Sequence, residues 1–213
     1  MKLLRALPIF AVLTLTACST VYYEALENVG IEKRDVLVDR VDDGRKAQTD
    51  AQKEFKNGLE RFRTVVAFDG GDLERKYNKL SSAYDRMESE AGKVSDRIDS
   101  IEDVGKALFR EWEAELDQYQ DQTLKAQSAA QLRETRAQYN DVVTAMHRAE
   151  DRMGPVLGIF NDQVLFLKHN LNAQAIASLE AEQIQIEARV NALLAEMDAA
   201  IAEANSFISR MRS

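Results

Sequence analysis

Between Leu73 and Trp112 the chain places Leu73, Tyr77, Leu80, Tyr84, Met87, Ala91, Val94, Ile98, Ile101, Gly105, Leu108 and Trp112 at alternating intervals of four and three residues. Because 3.6 residues make one α-helical turn, side chains at that spacing gather into a single narrow stripe, and the stripe is buried only when another helix presses against it. A strand cannot use the pattern, since its side chains alternate with a period of two. This segment is therefore a long helix that needs partners of similar length. Gly105 lies within the stripe and marks a close helix crossing or a weak point.

The rest of the chain supplies the partners. Residues 30 to 67 carry Leu37, Val41, Ala51, Phe55, Phe62 and Val65 on a similar seam, interrupted by Gly44, Gln48 and Gly58 and weakest between Asp42 and Glu54. The stretch Asp69 to Asp72 reads as a tight turn, with two glycines for flexibility and an aspartate to cap the next helix. The second helix fades around Tyr119 to Gln122, and Ser128 is a candidate cap for a third. That third seam runs through Leu132, Tyr139, Val143, Met146, Met153, Leu157, Phe160, Val164, Leu167 and Leu171. Pro155 sits inside it, which predicts a kink but not an end.

At Asn170 to Asn172 two readings compete. Asn172 can cap a fourth helix, with Leu171 packing on Ile176 as a hydrophobic staple. The last seam would then be Ile176, Leu179, Ile186, Val190, Leu193, Met197, Ile201, Ala204, Ile208 and Met211. Alternatively the third helix continues as one rod and leaves half its seam without a partner in the same chain. The expected fold is all-α, an elongated antiparallel bundle with coiled-coil seams, and four long helices are favoured over three. Only two prolines and nine glycines in 213 residues agree with long helices.

The single cysteine fixes an address. Lys2 and Arg5 precede an apolar run from Leu7 to Leu15, and the small residues Thr16 and Ala17 lead directly to Cys18. That is the order of an export signal, and its apolar part is about half the roughly twenty residues that span a bilayer. Leu15, Thr16, Ala17 and Cys18 resemble the bacterial lipobox, which implies that residues 1–17 are removed and that Cys18 becomes the acylated first residue. Residues 18–213 then form a single helical domain. Ser19 is not the aspartate that marks inner-membrane retention, so the resemblance points to the periplasmic face of the outer membrane. Tyr22 and Tyr23 would sit at the headgroup layer.

Without the signal, 26 basic residues face 36 acidic ones, a net charge of −10. Nucleic acid is a poor partner for such a chain, because its binding is driven by basic patches. With Cys18 acylated no thiol remains for a disulfide, so packed apolar surface must stabilise the fold.

The run YYEALENVGIEKRDVLVDRVDDGRKAQTDAQKEFKNGLERFRTVV and the later QVLFLKHNLNAQAIASL resemble an uncharacterised family of proteobacterial envelope proteins, domain of unknown function 2959. The resemblance implies a helical, lipidated envelope protein of unassigned activity and carries over no catalytic residue. Some relatives bear the label of DNA repair ATPases, which these residues do not support. Gly92-Lys93 and Gly105-Lys106 are followed by Val and Ala, where a phosphate loop needs Ser or Thr and an earlier glycine.

No catalytic, metal or cofactor set emerges elsewhere. His147 and His169 lack the glutamate three residues earlier that carboxylate-bridged metal bundles use. Glu111, Glu113, Glu115 and Asp117 spread around the helix and read as a solvated charged face. Val164, Leu165, Phe166 and Leu167 are more informative, because four consecutive apolar residues cannot share one seam. If Val164 and Leu167 face the core, Leu165 and Phe166 either lie under another helix or form a partner contact. Two functions follow. One is a lipid-anchored scaffold that binds an envelope protein or a second copy of itself. The other is a bundle that binds a lipid or small apolar ligand in room left by Gly105, Gly154 and Gly158.

Overall fold

The computed structural model describes residues 32–68, 70 and 72–212, the side chain of Ala173 excepted. Four helices account for nearly all of them: α1 (Lys33–Val66), α2 (Leu73–Leu116), α3 (Gln122–His169) and α4 (Ala173–Arg212). Each boundary has a local cause. Asp72 accepts a hydrogen bond from the Arg75 amide at 2.8 Å, and Asp121 accepts from the amides of Thr123 and Leu124, which satisfies N–H groups that have no partner inside the helix. Gly70 turns the chain at φ 128°, a conformation that other residues rarely adopt. Asn172 caps α4 through the Ala175 amide at 3.0 Å, so the chain turns at Asn170 to Asn172 and the four-helix reading holds.

Two local expectations change and one holds. Ser128 is not a cap, because α3 begins six residues earlier at Gln122; its hydroxyl instead accepts the Trp112 indole N–H at 2.9 Å. Leu171 does not form a buried staple and remains 39% exposed. Helix α3 passes through Gly154 and Pro155 without ending, as expected.

The helices run up and down around a common core. Helix α1 packs on α2 and α4, and α3 packs on the same two neighbours. Cross-links between them set the levels. Lys33 meets Glu111, Arg86 meets Glu54, Gln52 meets Asp198, and Arg63 meets Glu187. As one residue number in each neighbouring pair rises the other falls, so these neighbours are antiparallel. The start of α1 and the end of α4 lie together, with Arg34 donating to the Met211 carbonyl and Arg212 4.0 Å from Asp39. The 67–72 and 170–172 turns occupy the opposite end, called distal below.

The interruptions in the α1 seam are its closest contacts. A methyl group on Gly58 would fall 2.4 Å from Met87 Sδ, and one on Gly44 would fall 2.8 Å from the Ile101 side chain. Gly105 receives the Tyr139 ring, whose atoms would lie 2.5 Å from an added Cβ. Toward the distal end Phe62 and Phe160 meet edge to face at 6.1 Å, and both are fully buried. The α3 and α4 seams also bury Val142, Val156, Ala200 and Phe207 beside the expected positions.

Candidate functional site

The last turns of α3 carry the sequence Val164 to Asn170 onto the distal end. Phe160, Val164 and Leu167 point into the core and hold the helix in register. At about 100° per residue, Leu165 and Phe166 must then turn outward. They are 50% and 41% exposed, so no described helix covers them. The backbone beneath them is well held, since Asn170 donates from its side-chain amide to the Phe166 carbonyl at 2.9 Å and from its backbone to Leu167 at 3.1 Å. Exposed Leu171 follows in the turn, while Lys168 and His169 place basic groups in the same last turn. An ordered apolar pair beside basic groups can anchor a partner, but it offers no acid, base or nucleophile.

The predicted lipidation site, Cys18, lies outside the described residues, as do the 1–17 signal segment, Tyr22 and Tyr23. Among the described residues no helix is long and apolar enough to cross a membrane. No group of three or more His, Cys, Asp or Glu side chains among them could hold a metal ion.

The polar residues singled out by sequence make ion pairs between helices. Glu111 binds Lys33, Glu113 binds Arg136, and Asp117 binds Lys125. Lys93 and Lys106 are held by Glu90 and Glu102 within α2. His147 lies between two carboxylates, with Nε2 2.8 Å from Glu102 of α2 and Nδ1 2.9 Å from Glu150. Only an imidazolium can donate from both nitrogens, and the bond to Glu102 raises the His147 pKa despite partial burial. Glu102 is shifted down by His147 and then by Lys106. Glu187 is lowered further, to about 2, chiefly by the Arg63 guanidinium.

Sequence reasoning named Gln48 only as an interruption of the α1 seam, whereas the structure buries it. Gln48 is 1% exposed, and neither its amide nitrogen nor its amide oxygen has a hydrogen-bond partner among the described residues. Its position on the α1 stripe, seven residues from Val41 and from Phe55, was the available signal. The three glycines do not open an internal chamber: Tyr139 fills the space at Gly105, while Gly154 and Gly158 face open space. A surface cleft of about 330 Å³ does separate α3 from α4, lined by Pro155, Val156, Ala188 and Ala192 among others.

A family model described as "Protein of unknown function (DUF2959)" matches residues 22–211. No curated protein and no solved structure matches the chain.

Proposed function

We propose, from the premise that the chain belongs to the DUF2959 family of unknown function, that it is a lipid-anchored helical scaffold of the bacterial envelope. In this reading Cys18 is acylated on the periplasmic face of the outer membrane, and the bundle carries a protein-contact site away from that surface. The observation that carries it is the exposure of Leu165 and Phe166 at the end of the bundle opposite the start of α1. From Tyr139, near the level where α1 begins, to Phe166 is about 40 Å along α3 at 1.5 Å per residue. An anchor attached before α1 would hold the pair that far from its membrane. The large acidic excess suits a protein partner and not nucleic acid.

Two measurements test the two halves of this reading. Radiolabelled palmitate should enter the wild type and not Cys18→Ser; equal labelling, or none in a bacterium that processes lipoproteins, removes the anchor. A photo-crosslinking residue at position 166 should give one discrete protein adduct in living cells, lost on Leu165→Lys. Absence of any adduct removes the contact site. The lipid-binding alternative draws on the α3–α4 cleft, and a stoichiometric lipid co-purifying with the acyl-free Cys18→Ser protein would favour it.

A further inference from the structure

The distal patch differs from the shaft of the bundle in charge as well as in apolarity. Three of the six large apolar side chains exposed among the described residues, Leu165, Phe166 and Leu171, fall within one short stretch of chain. From Gln163 to Leu179 the sequence holds no aspartate or glutamate, the longest such run after Glu24 in a chain with 36 acidic residues. Lys168 and His169 lie inside that run, both exposed, and neither forms an ion pair with a described residue. Several cations along the shaft, by contrast, are met by carboxylates: Lys46 by Asp42, Arg86 by Glu54 and Lys93 by Glu90. Where neighbouring helices bring carboxylates toward the distal end, those groups are already engaged, since Glu182 accepts from Gln163 and Glu88 accepts from Tyr84. Asp162 lies one turn behind Phe166.

We propose that the partner of this patch is an acidic protein other than this chain, one that seats Leu165 and Phe166 in an apolar pocket and sets carboxylates around Lys168 and His169. The inference rests on the contact-site reading above and supplies the chemistry of the partner. Apolar anchors give affinity by leaving water, while charges at the rim steer the approach and fix the orientation. Charges more than about 8 Å apart are largely screened at physiological ionic strength, so a partner at the tip responds to Lys168 and His169 and not to the acidic excess of the whole chain. The same partner is repelled where carboxylates crowd the shaft. Charge therefore decides where on the rod it docks.

The other occupants fit less well. On the anchor reading, chains held in one membrane bring their tips to the same level, so a symmetric pair would set patch against patch and Lys168 against its own equivalent. The membrane that holds the anchor lies about 40 Å away along α3 on that reading.

The test keeps the full chain in living cells, with p-benzoylphenylalanine at position 166 as the probe. Lys168→Glu combined with His169→Glu should lower the yield of the protein adduct at least about fivefold, whereas Lys168→Arg should keep it within about twofold. Lys53→Glu combined with Arg97→Glu makes a charge change at least as large on exposed residues of the shaft, and should also leave the yield within about twofold. Helical circular dichroism kept in each purified variant shows that the bundle still folds. As a second measurement on the chain with no other substitution, the partner peptide joined to position 166 should carry more Asp and Glu than Lys and Arg. An unchanged yield in the Lys168→Glu, His169→Glu chain, an equal fall in the Lys168→Arg or shaft variant, or an adduct between two copies of this chain overturns the proposal while leaving a contact at Phe166 in place. A phospholipid adduct instead of a protein, or no adduct at all, removes the contact site itself and this proposal with it.

Discussion

Two stretches of the α1 stripe, its distal end and its middle, are packed by different means. Toward the distal turns Phe55, Phe62 and Phe160 fill the core, with Met87 pressed against Gly58. Between Gly44 and Gln52 the same stripe is built from Gly44, Ala47, Gln48 and Ala51, and polar bridges add to it: Gln52 donates to Asp198 at 2.6 Å, and His147 ties Glu102 to Glu150. Large rings gain stability from buried area, whereas small residues gain it by letting helices approach and by the partner side chains that enter the gap. Truncation of a side chain should therefore cost most in the distal core, whereas between Gly44 and Gln52 the polar groups also count.

The largest effect that would break this contrast is at Phe62. Phe62→Ala should lower the free energy of unfolding by about 3–5 kcal/mol, measured by urea denaturation, because a fully buried ring is replaced by a cavity beside Phe160. A loss below 1 kcal/mol would mean that the distal core is not where the stability lies. Opposite in sign is Gln48→Met, which keeps an unbranched side chain and removes two polar atoms without partners. It should stabilise by about 1–3 kcal/mol in the same assay. Destabilisation would show that Gln48 is satisfied in solution.

A smaller effect comes from His147. Its pKa is raised in the folded state, so the bridge adds stability that is full below the unfolded value of about 6.5 and fades as pH rises through the folded value. His147→Gln should flatten the melting temperature above pH 6.5 relative to wild type, and parallel curves would remove the bridge. Glu187 acts with the opposite sign. Its folded pKa of about 2 adds stability above its unfolded value, lost as pH falls from about 4.5 toward 2, and Glu187→Gln should weaken that acid limb. Smallest of all should be Phe166→Lys, which leaves the melting temperature within a degree or two while abolishing the partner recovered by chemical crosslinking in living cells, because the ring lies outside the core. A drop like that of Phe62→Ala would place Phe166 inside it.

Much of the fold was legible because a seam is a local pattern. Leu37, Phe55, Ile98, Met146 and Val190 follow from spacing alone, as do the caps at Asp72 and Asn172. The start of α3 was misplaced because Ser128 drew attention from Asp121, which stands seven residues before Ser128 and satisfies two amides. Gly44, Gln48 and Gly58 looked like breaks because a seam is recognised by apolar side chains. A residue without a side chain can be just as buried when Ile101 or Met87 reaches across.

Sequence alone determined that this chain is helical, that its helices need one another, and that Leu165 and Phe166 cannot share the face of Val164 and Leu167, since all three follow from the 3.6-residue period. It left open whether a neighbour would cover Phe166 and what the glycines were for. Those answers needed the tertiary structure, because burial depends on which helices stand beside one another. With α1 and α3 each packed on α2 and α4, each helix has two neighbours and one outer side. Phe166 lies on that outer side, while Gly58 and Gly105 lie where Met87 and Tyr139 enter from the next helix.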